Sequence, residues 1–84
     1  MANPRGVRLS HRAEKALDKV EARFKDRLKE ALRELSRNPL IGKRLKGEFE
    51  RLRAYRLGSF RIVYKFTREL VEVVYIDDRK DVYR

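Results

Sequence analysis

The sequence predicts an α+β fold with the element order β-α-α-β-β-β. A helical hairpin near the N-terminus packs on one face of an antiparallel sheet. Two observations support this prediction. Apolar residues recur every three or four positions in the first half of the chain, and at nearly every second position from Leu52 onwards. The first spacing is typical of amphipathic helices and the second of half-buried strands. Helices followed by a run of strands indicate a sheet with helices on one face.

The length and the charge of the chain limit the classes of protein it can represent. Its 84 residues allow one small core, so we expect a single domain over residues 1–84. The net charge of +10, from 23 Lys and Arg against 13 Asp and Glu, favours nucleic acid or an acidic protein as partner. No apolar run approaches the length of a membrane span. We therefore expect no membrane partner and a cytoplasmic location.

The residue types that the chain lacks exclude several kinds of site. There is no Cys, and the only His is His11. Disulfide scaffolds, zinc fingers and multi-histidine metal sites are therefore excluded. We expect neither a metal nor a cofactor.

The composition also predicts a thermophilic source. Charged residues make up 43% of the chain, with one Met and no Cys, and enrichment in charge with loss of thermolabile residues is the composition of hyperthermophile proteins. We expect the isolated domain to melt above the range of about 45–65 °C that is usual for mesophile domains. A calorimetric scan that gives a midpoint within that range would contradict this prediction.

The first half of the chain predicts a short strand and two helices. Residues 7–9 alternate between apolar and polar, and Ser10 suits a helix N-cap. Pro39 ends the helical pattern. One straight helix over residues 11–37 would be about 40 Å long, whereas the whole domain is roughly 30 Å across. We therefore predict two antiparallel helices with a break near residues 21–23. Their apolar positions are Ala13, Ala16, Leu17, Val20, Phe24, Leu28, Ala31, Leu32 and Leu35.

The second half predicts three strands. Gly58 and Ser59 separate residues 51–57 from an alternating run over residues 60–66, which indicates a tight hairpin. Residues 67–69 form the next turn. Residues 70–76 are almost continuously apolar, which predicts a central strand covered on both faces.

The predicted hairpin places two arginines opposite each other. A two-residue turn pairs Arg56 with Arg61, on the face opposite Phe60 and Ile62, and Lys65 shares that face. Like charges in this arrangement repel by a few tenths to about 1 kcal/mol, whereas two guanidiniums together suit a phosphate. The alternative is an ordinary solvated face that protects the sheet from aggregation. A one-residue bulge would put Arg53 on this face instead of Arg56.

Three segments together resemble the RelE/ParE toxin superfamily. They are Leu-Lys-Gly at residues 45–47, Tyr-Arg-Leu-Gly-Ser-Phe-Arg-Ile-Val-Tyr at residues 55–64, and Arg-Lys-Asp-Val-Tyr at residues 79–83. The resemblance covers the chain from about Val7 to Arg84. It implies the toxin of a type II toxin–antitoxin pair. RelE-like members cut mRNA in the ribosomal A site without a metal, by attack of the 2′-hydroxyl on the adjacent phosphate.

The resemblance also implies partners and site residues. The expected partners are an acidic, RelB-like antitoxin, the ribosome and mRNA. Where RelE carries two lysines before the hairpin, this chain has residues such as Ala54 and Arg56. An arginine stays protonated, so the sequence assigns no general base. The expected catalytic residues are Arg56, Arg61, Arg79 and Tyr83, and the expected RNA-binding residues are Lys46, Arg53 and Lys65.

Two other functions remain open from the sequence. ParE-like members share the fold but inhibit DNA gyrase by binding it, and they usually lack the full basic site and the closing tyrosine. The chain would otherwise be a nucleic-acid-binding domain that does not cut. The four expected catalytic residues favour the nuclease.

Overall fold

The computed structural model describes residues 4–47 and 51–78. It contains two helices on one face of a five-stranded sheet, and it confirms the predicted α+β class. The strands lie in the order β1-β5-β4-β3-β2. In chain order the elements are β1 (Gly6–Leu9), α1 (His11–Lys19), α2 (Ala22–Arg37), a 3₁₀ turn (Pro39–Ile41), β2 (Lys43–Arg44), β3 (Arg53–Leu57), β4 (Phe60–Phe66) and β5 (Leu70–Asp78).

The sheet is mixed, whereas the sequence predicted an antiparallel one. Strands β2 to β5 are antiparallel to their neighbours, but β1 pairs with β5 in parallel. The helical hairpin carries the chain across the sheet to β2 at the opposite edge. Strands β3, β4 and β5 each reverse the direction of the strand before, so β5 runs parallel to β1. Strand β2 was not predicted, because two residues are too few to show a period.

The two helices span the predicted range of residues 11–37, with a break close to the predicted one. Helix α1 ends at Lys19, and α2 begins at Ala22. Between them, Val20 and Glu21 are extended, with ψ of 140° and 143°. This confirms the predicted break near residues 21–23.

Ser10 connects the start of α1 to the sheet. Its Oγ accepts a hydrogen bond from the Ala13 N–H at 3.0 Å and donates one to the Val74 carbonyl at 2.5 Å.

We predict that Ser10→Ala lowers the free energy of unfolding by about 1–2 kcal/mol, since the N-cap hydrogen bond and the hydrogen bond to the strand are both lost. Urea denaturation would measure the loss. Ser10→Thr keeps the hydroxyl and serves as the control; equal stability of the Ala and Thr variants would contradict the prediction.

The core lies between the helices and one face of the sheet. Phe60, Ile62 and Tyr64 are buried on that face, as their alternation predicts. The core residues are Ala13, Leu28, Ala31, Leu32, Leu35, Phe60, Ile62, Tyr64, Val71, Val73 and Ile76.

The helices within residues 4–47 and 51–78 include none with the length and apolar composition of a membrane-spanning helix.

Among the described residues, the helices cover only one face of β5, so the prediction of such cover on both faces is wrong. Val71, Val73 and Ile76 are buried, and the residues between them are half-buried. The irregular spacing arises from a bulge, because Tyr64 pairs with Val73 whereas Val63 pairs with Tyr75. Val74 is the extra residue, and it shifts the phase of the strand by one position.

A buried tyrosine fixes the segment before β2 to the sheet. The Tyr64 hydroxyl donates to the Pro39 carbonyl at 2.5 Å and accepts from the Gly42 N–H at 3.0 Å. Burial raises the pKa of Tyr64 above its usual value. These bonds set the position from which β2 pairs with β3.

Candidate nucleic-acid interface

The face of the sheet that the helices leave open carries the predicted arginine pair. Leu57 pairs with Phe60 and Arg56 with Arg61, across a turn in which Gly58 has a φ of 61°. This confirms the register inferred from the sequence. Arg56 is exposed and Arg61 is half-buried. Their side chains share a face because residues directly opposite in a sheet point the same way.

An aspartate on the next strand joins this pair. Arg61 also pairs with Asp77 of β5. The Arg61 Nη2 lies 2.9 Å from Asp77 Oδ2, and its Nε lies 3.4 Å from Oδ1. The hydrogen bond to Asp77 raises the pKa of Arg61 above its usual value. Arg56, Arg61 and Asp77 therefore form a row across three strands, and this row already contains one anion. The anion was not predicted from the sequence.

A tyrosine of the same strand completes the surroundings of Arg61. The Arg61 Nη2 donates to the Tyr75 hydroxyl at 3.3 Å. The Tyr75 ring also lies near two guanidiniums, with its centroid 5.8 Å from Cζ of Arg61 and 5.0 Å from Cζ of Arg12. Both distances allow a cation–π attraction. Arg12 belongs to the first turn of α1, so the ring is close to both a sheet arginine and a helix arginine.

The hydrogen bonds of Arg61 determine how it can hold a ligand. A guanidinium has five N–H donors arranged as two forks. The Nε/Nη2 fork donates to Asp77, and the other hydrogen of Nη2 suits Tyr75. Within the described part of the chain, Nη1 has no hydrogen-bond partner. Unless these side chains rearrange, an anion can therefore accept hydrogen bonds from Nη1 alone.

A basic cavity adjoins the arginine pair. Its volume is about 350 Å³, and Lys43 and Arg44 of β2 line it together with Arg56 and Arg61. Lys43 and Arg44 were not among the site residues predicted from the sequence, because a two-residue strand shows no period. Across residues 4–47 and 51–78, no three His, Cys, Asp or Glu side chains are grouped so that they could hold a metal ion.

The other predicted site residues lie in different places. Lys65 is exposed on the open face and pairs with Glu72 of β5. Lys46 is exposed in the segment after β2. Arg79 and Tyr83 lie outside the described residues, so their roles stay predictions.

Arg53 lies apart from the arginine pair. It pairs with Tyr64 on the helix side of the sheet. Its Nη1 donates to the Gly42 carbonyl at 2.7 Å and lies 3.4 Å from the Leu40 carbonyl. The bulge that would have put Arg53 on the open face is absent from β3. Its predicted contact with RNA is untested, and its observed contacts hold the segment before β2.

Comparison with known proteins identifies the class to which this chain belongs. Residues 7–83 match the family described as the ParE toxin of the type II toxin–antitoxin system, parDE. The chain therefore belongs to this toxin family, and the resemblance to the RelE/ParE superfamily is confirmed. No curated protein matches the sequence.

Solved structures support the same assignment. A chain in the RelBE2 toxin–antitoxin complex of Mycobacterium tuberculosis is 30% identical, with a TM-score of 0.85; the match covers 92% of this chain and 100% of that one. A chain of the intact Escherichia coli RelBE complex is 22% identical, with a TM-score of 0.75 and coverage of 88% and 95%. E. coli YafQ is 19% identical, with a TM-score of 0.72 and coverage of 95% and 99%. The last two show similarity of fold alone.

Proposed function

We propose that this toxin is a ribosome-dependent mRNA endonuclease that cuts in the A site and inhibits translation. The observation that carries the proposal is the pairing of Arg56 and Arg61 on the open face, beside a cavity lined by Lys43 and Arg44. Adjacent guanidiniums suit phosphate oxygens. We propose Arg56 and Arg61 as the groups that contact the scissile phosphate.

The proposed reaction needs charge stabilisation more than a strong base. The 2′-oxygen attacks the neighbouring phosphorus and loses its proton, the bond to the 5′-oxygen breaks, and that oxygen leaves protonated. The pentavalent transition state carries more negative charge than the substrate, so fixed guanidiniums stabilise it preferentially. In-line geometry comes from positioning, which the ribosome supplies. Arg79 and Tyr83 would complete the site, with Lys46 and Lys65 along the RNA; neither metal nor cofactor takes part.

We further propose an acidic antitoxin as the regulatory partner. The net charge of +10 favours an acidic partner, and the matched structures include toxin–antitoxin complexes. A partner that covers Arg56 and Arg61 would block RNA from the open face and would stabilise the small domain by mass action. Ribosomes, mRNA and such a partner imply action in the cytoplasm.

A second candidate function is inhibition of DNA gyrase. The matching family is described by its ParE member, and ParE-like toxins bind gyrase without cutting RNA. The Asp77 carboxylate on Arg61 also favours a face that binds protein and does no chemistry.

Two assays with the purified toxin separate these functions. The nuclease inhibits cell-free translation and leaves gyrase supercoiling of a relaxed plasmid unchanged. A gyrase inhibitor gives the opposite pair of results. No effect in either assay would contradict both functions and leave a nucleic-acid-binding domain.

A further inference from the structure

We infer that Asp77 is an internal competitor of the RNA phosphate for Arg61, and thereby a specificity-determining residue of the open face. The inference rests on the proposed function, because it assumes that Arg61 meets an RNA phosphate. In the free toxin, the Asp77 carboxylate occupies the place of an anion. An RNA that the ribosome also holds makes enough additional contacts to displace this carboxylate, whereas free RNA does not.

The geometry of Arg61 is the first support. A carboxylate and a phosphate present the same pair of acceptor oxygens to a guanidinium fork. Asp77 receives the Nε/Nη2 fork, at 3.4 Å and 2.9 Å, and the Tyr75 hydroxyl is 3.3 Å from the same Nη2. Either fork therefore includes a donor that is already in use. A phosphate gains a two-point grip on Arg61 only by displacing one of these side chains.

The charge of the row is the second support. Arg56, Arg61 and Asp77 face each other across three neighbouring strands, about 5 Å apart. The two arginines alone would give this row a net charge of +2, and the Asp77 carboxylate lowers it to +1. The aspartate repels any phosphate that approaches Arg61, so it weakens binding at the point where the proposed chemistry occurs.

The exposure of the ion pair permits the exchange. The Arg61 and Asp77 side chains retain 32% and 31% of their accessible surface. An ion pair open to water to this degree contributes little to stability. The carboxylate can therefore give way to a phosphate without unfolding β5, and the neighbouring Arg56 is exposed on the same face to bind the incoming group.

The test measures binding of a fluorescent single-stranded RNA of about 12 nucleotides to purified variants, without ribosomes. Asp77→Asn removes the charge and keeps the shape. Asp26→Asn is the matched control, because it adds the same net charge from an exposed position on α2. We expect Asp77→Asn to bind the RNA about fivefold more tightly than Asp26→Asn at low salt, as one unit charge at about 4 Å contributes across water.

A double-mutant cycle assigns the effect to Arg61. In an Arg61→Ala background, Asp77→Asn should change the affinity no more than Asp26→Asn does. The inference is overturned if Asp77→Asn binds no more tightly than the control, or if its gain persists without Arg61. Circular dichroism monitors folding, and Asp77→Ser is a second neutral variant with the same expected gain.

The same variants distinguish failure of this inference from failure of the proposed function. RNA affinity is measured without ribosomes, and cleavage is measured with them. Tighter binding by Asp77→Asn in a toxin that never cuts mRNA would remove the proposed function and retain the competitor. Cleavage by the wild type with no gain in affinity for Asp77→Asn would retain the function and remove the competitor.

Discussion

Arg61→Ala should slow ribosome-dependent mRNA cleavage by about 10²–10³-fold, the cost of losing one fixed charge contact to a transition state. The structure places Arg61 beside Arg56 on the open face, where its guanidinium donates to Asp77 and Tyr75 in the free toxin. Arg61→Lys should restore the rate only in part, because lysine keeps the charge and loses the fork. Cleavage of a reporter mRNA in a translating extract gives both rates.

The fold should survive this substitution. Arg61→Ala removes a partly exposed ion pair with Asp77, and such pairs contribute about 0–1 kcal/mol. Arg33→Ala is a matched control, since Arg33 pairs with Glu30 on the exposed side of α2 and lies outside the proposed site. It should cut at the wild-type rate. If Arg61→Ala also cuts at that rate, the assignment of Arg61 to the site is wrong.

Gly42→Ala should destabilise the fold by about 1–3 kcal/mol, as expected when a group is forced into a filled core. Gly42 is buried and has an ordinary φ of −75°, so backbone strain is not the cause. A Cβ at this position would lie 2.7 Å from Cε1 and 2.8 Å from Cζ of Tyr64, which is fully buried. The Tyr64 ring would have to move, and its hydroxyl would lose the hydrogen bonds to Pro39 and Gly42.

A second glycine provides the control for this stability prediction. A Cβ at Gly6 would have its nearest neighbours 3.7 Å away, which is ordinary contact. Gly6→Ala should therefore leave the free energy of unfolding within about 0.5 kcal/mol of the wild type. Urea denaturation of the two variants compares them directly. Equal stabilities would mean that Tyr64 does not fill the space beside Gly42.

The helices and the β3–β4 hairpin were predictable because local rules determine them. The apolar spacing and Ser10 place α1, and the length argument predicts that the helical segment is broken, as it is between Lys19 and Ala22. The turn at Gly58 fixes the pairing of Arg56 with Arg61. Each of these features depends on neighbours in the sequence, where period and turn chemistry give clear signals.

The partner of Arg61 was not predictable by the same reasoning. A turn over residues 67–69 would pair Phe66 with Leu70 and hence Arg61 with Tyr75. Phe66 instead pairs with Val71, and the bulge at Val74 shifts the register again, so that Arg61 meets Asp77. Turn length and bulge position depend on packing against the helices, and no residue of this strand signals either of them.

The central claim, that this toxin cuts mRNA on the ribosome, is tested most directly by primer extension on a reporter mRNA. The mRNA is incubated with the toxin, with and without translating ribosomes. We predict cuts at codon-spaced positions that appear only during translation and disappear with Arg61→Ala. Intact mRNA in the presence of translating ribosomes, or the same cuts on naked RNA, would contradict the claim.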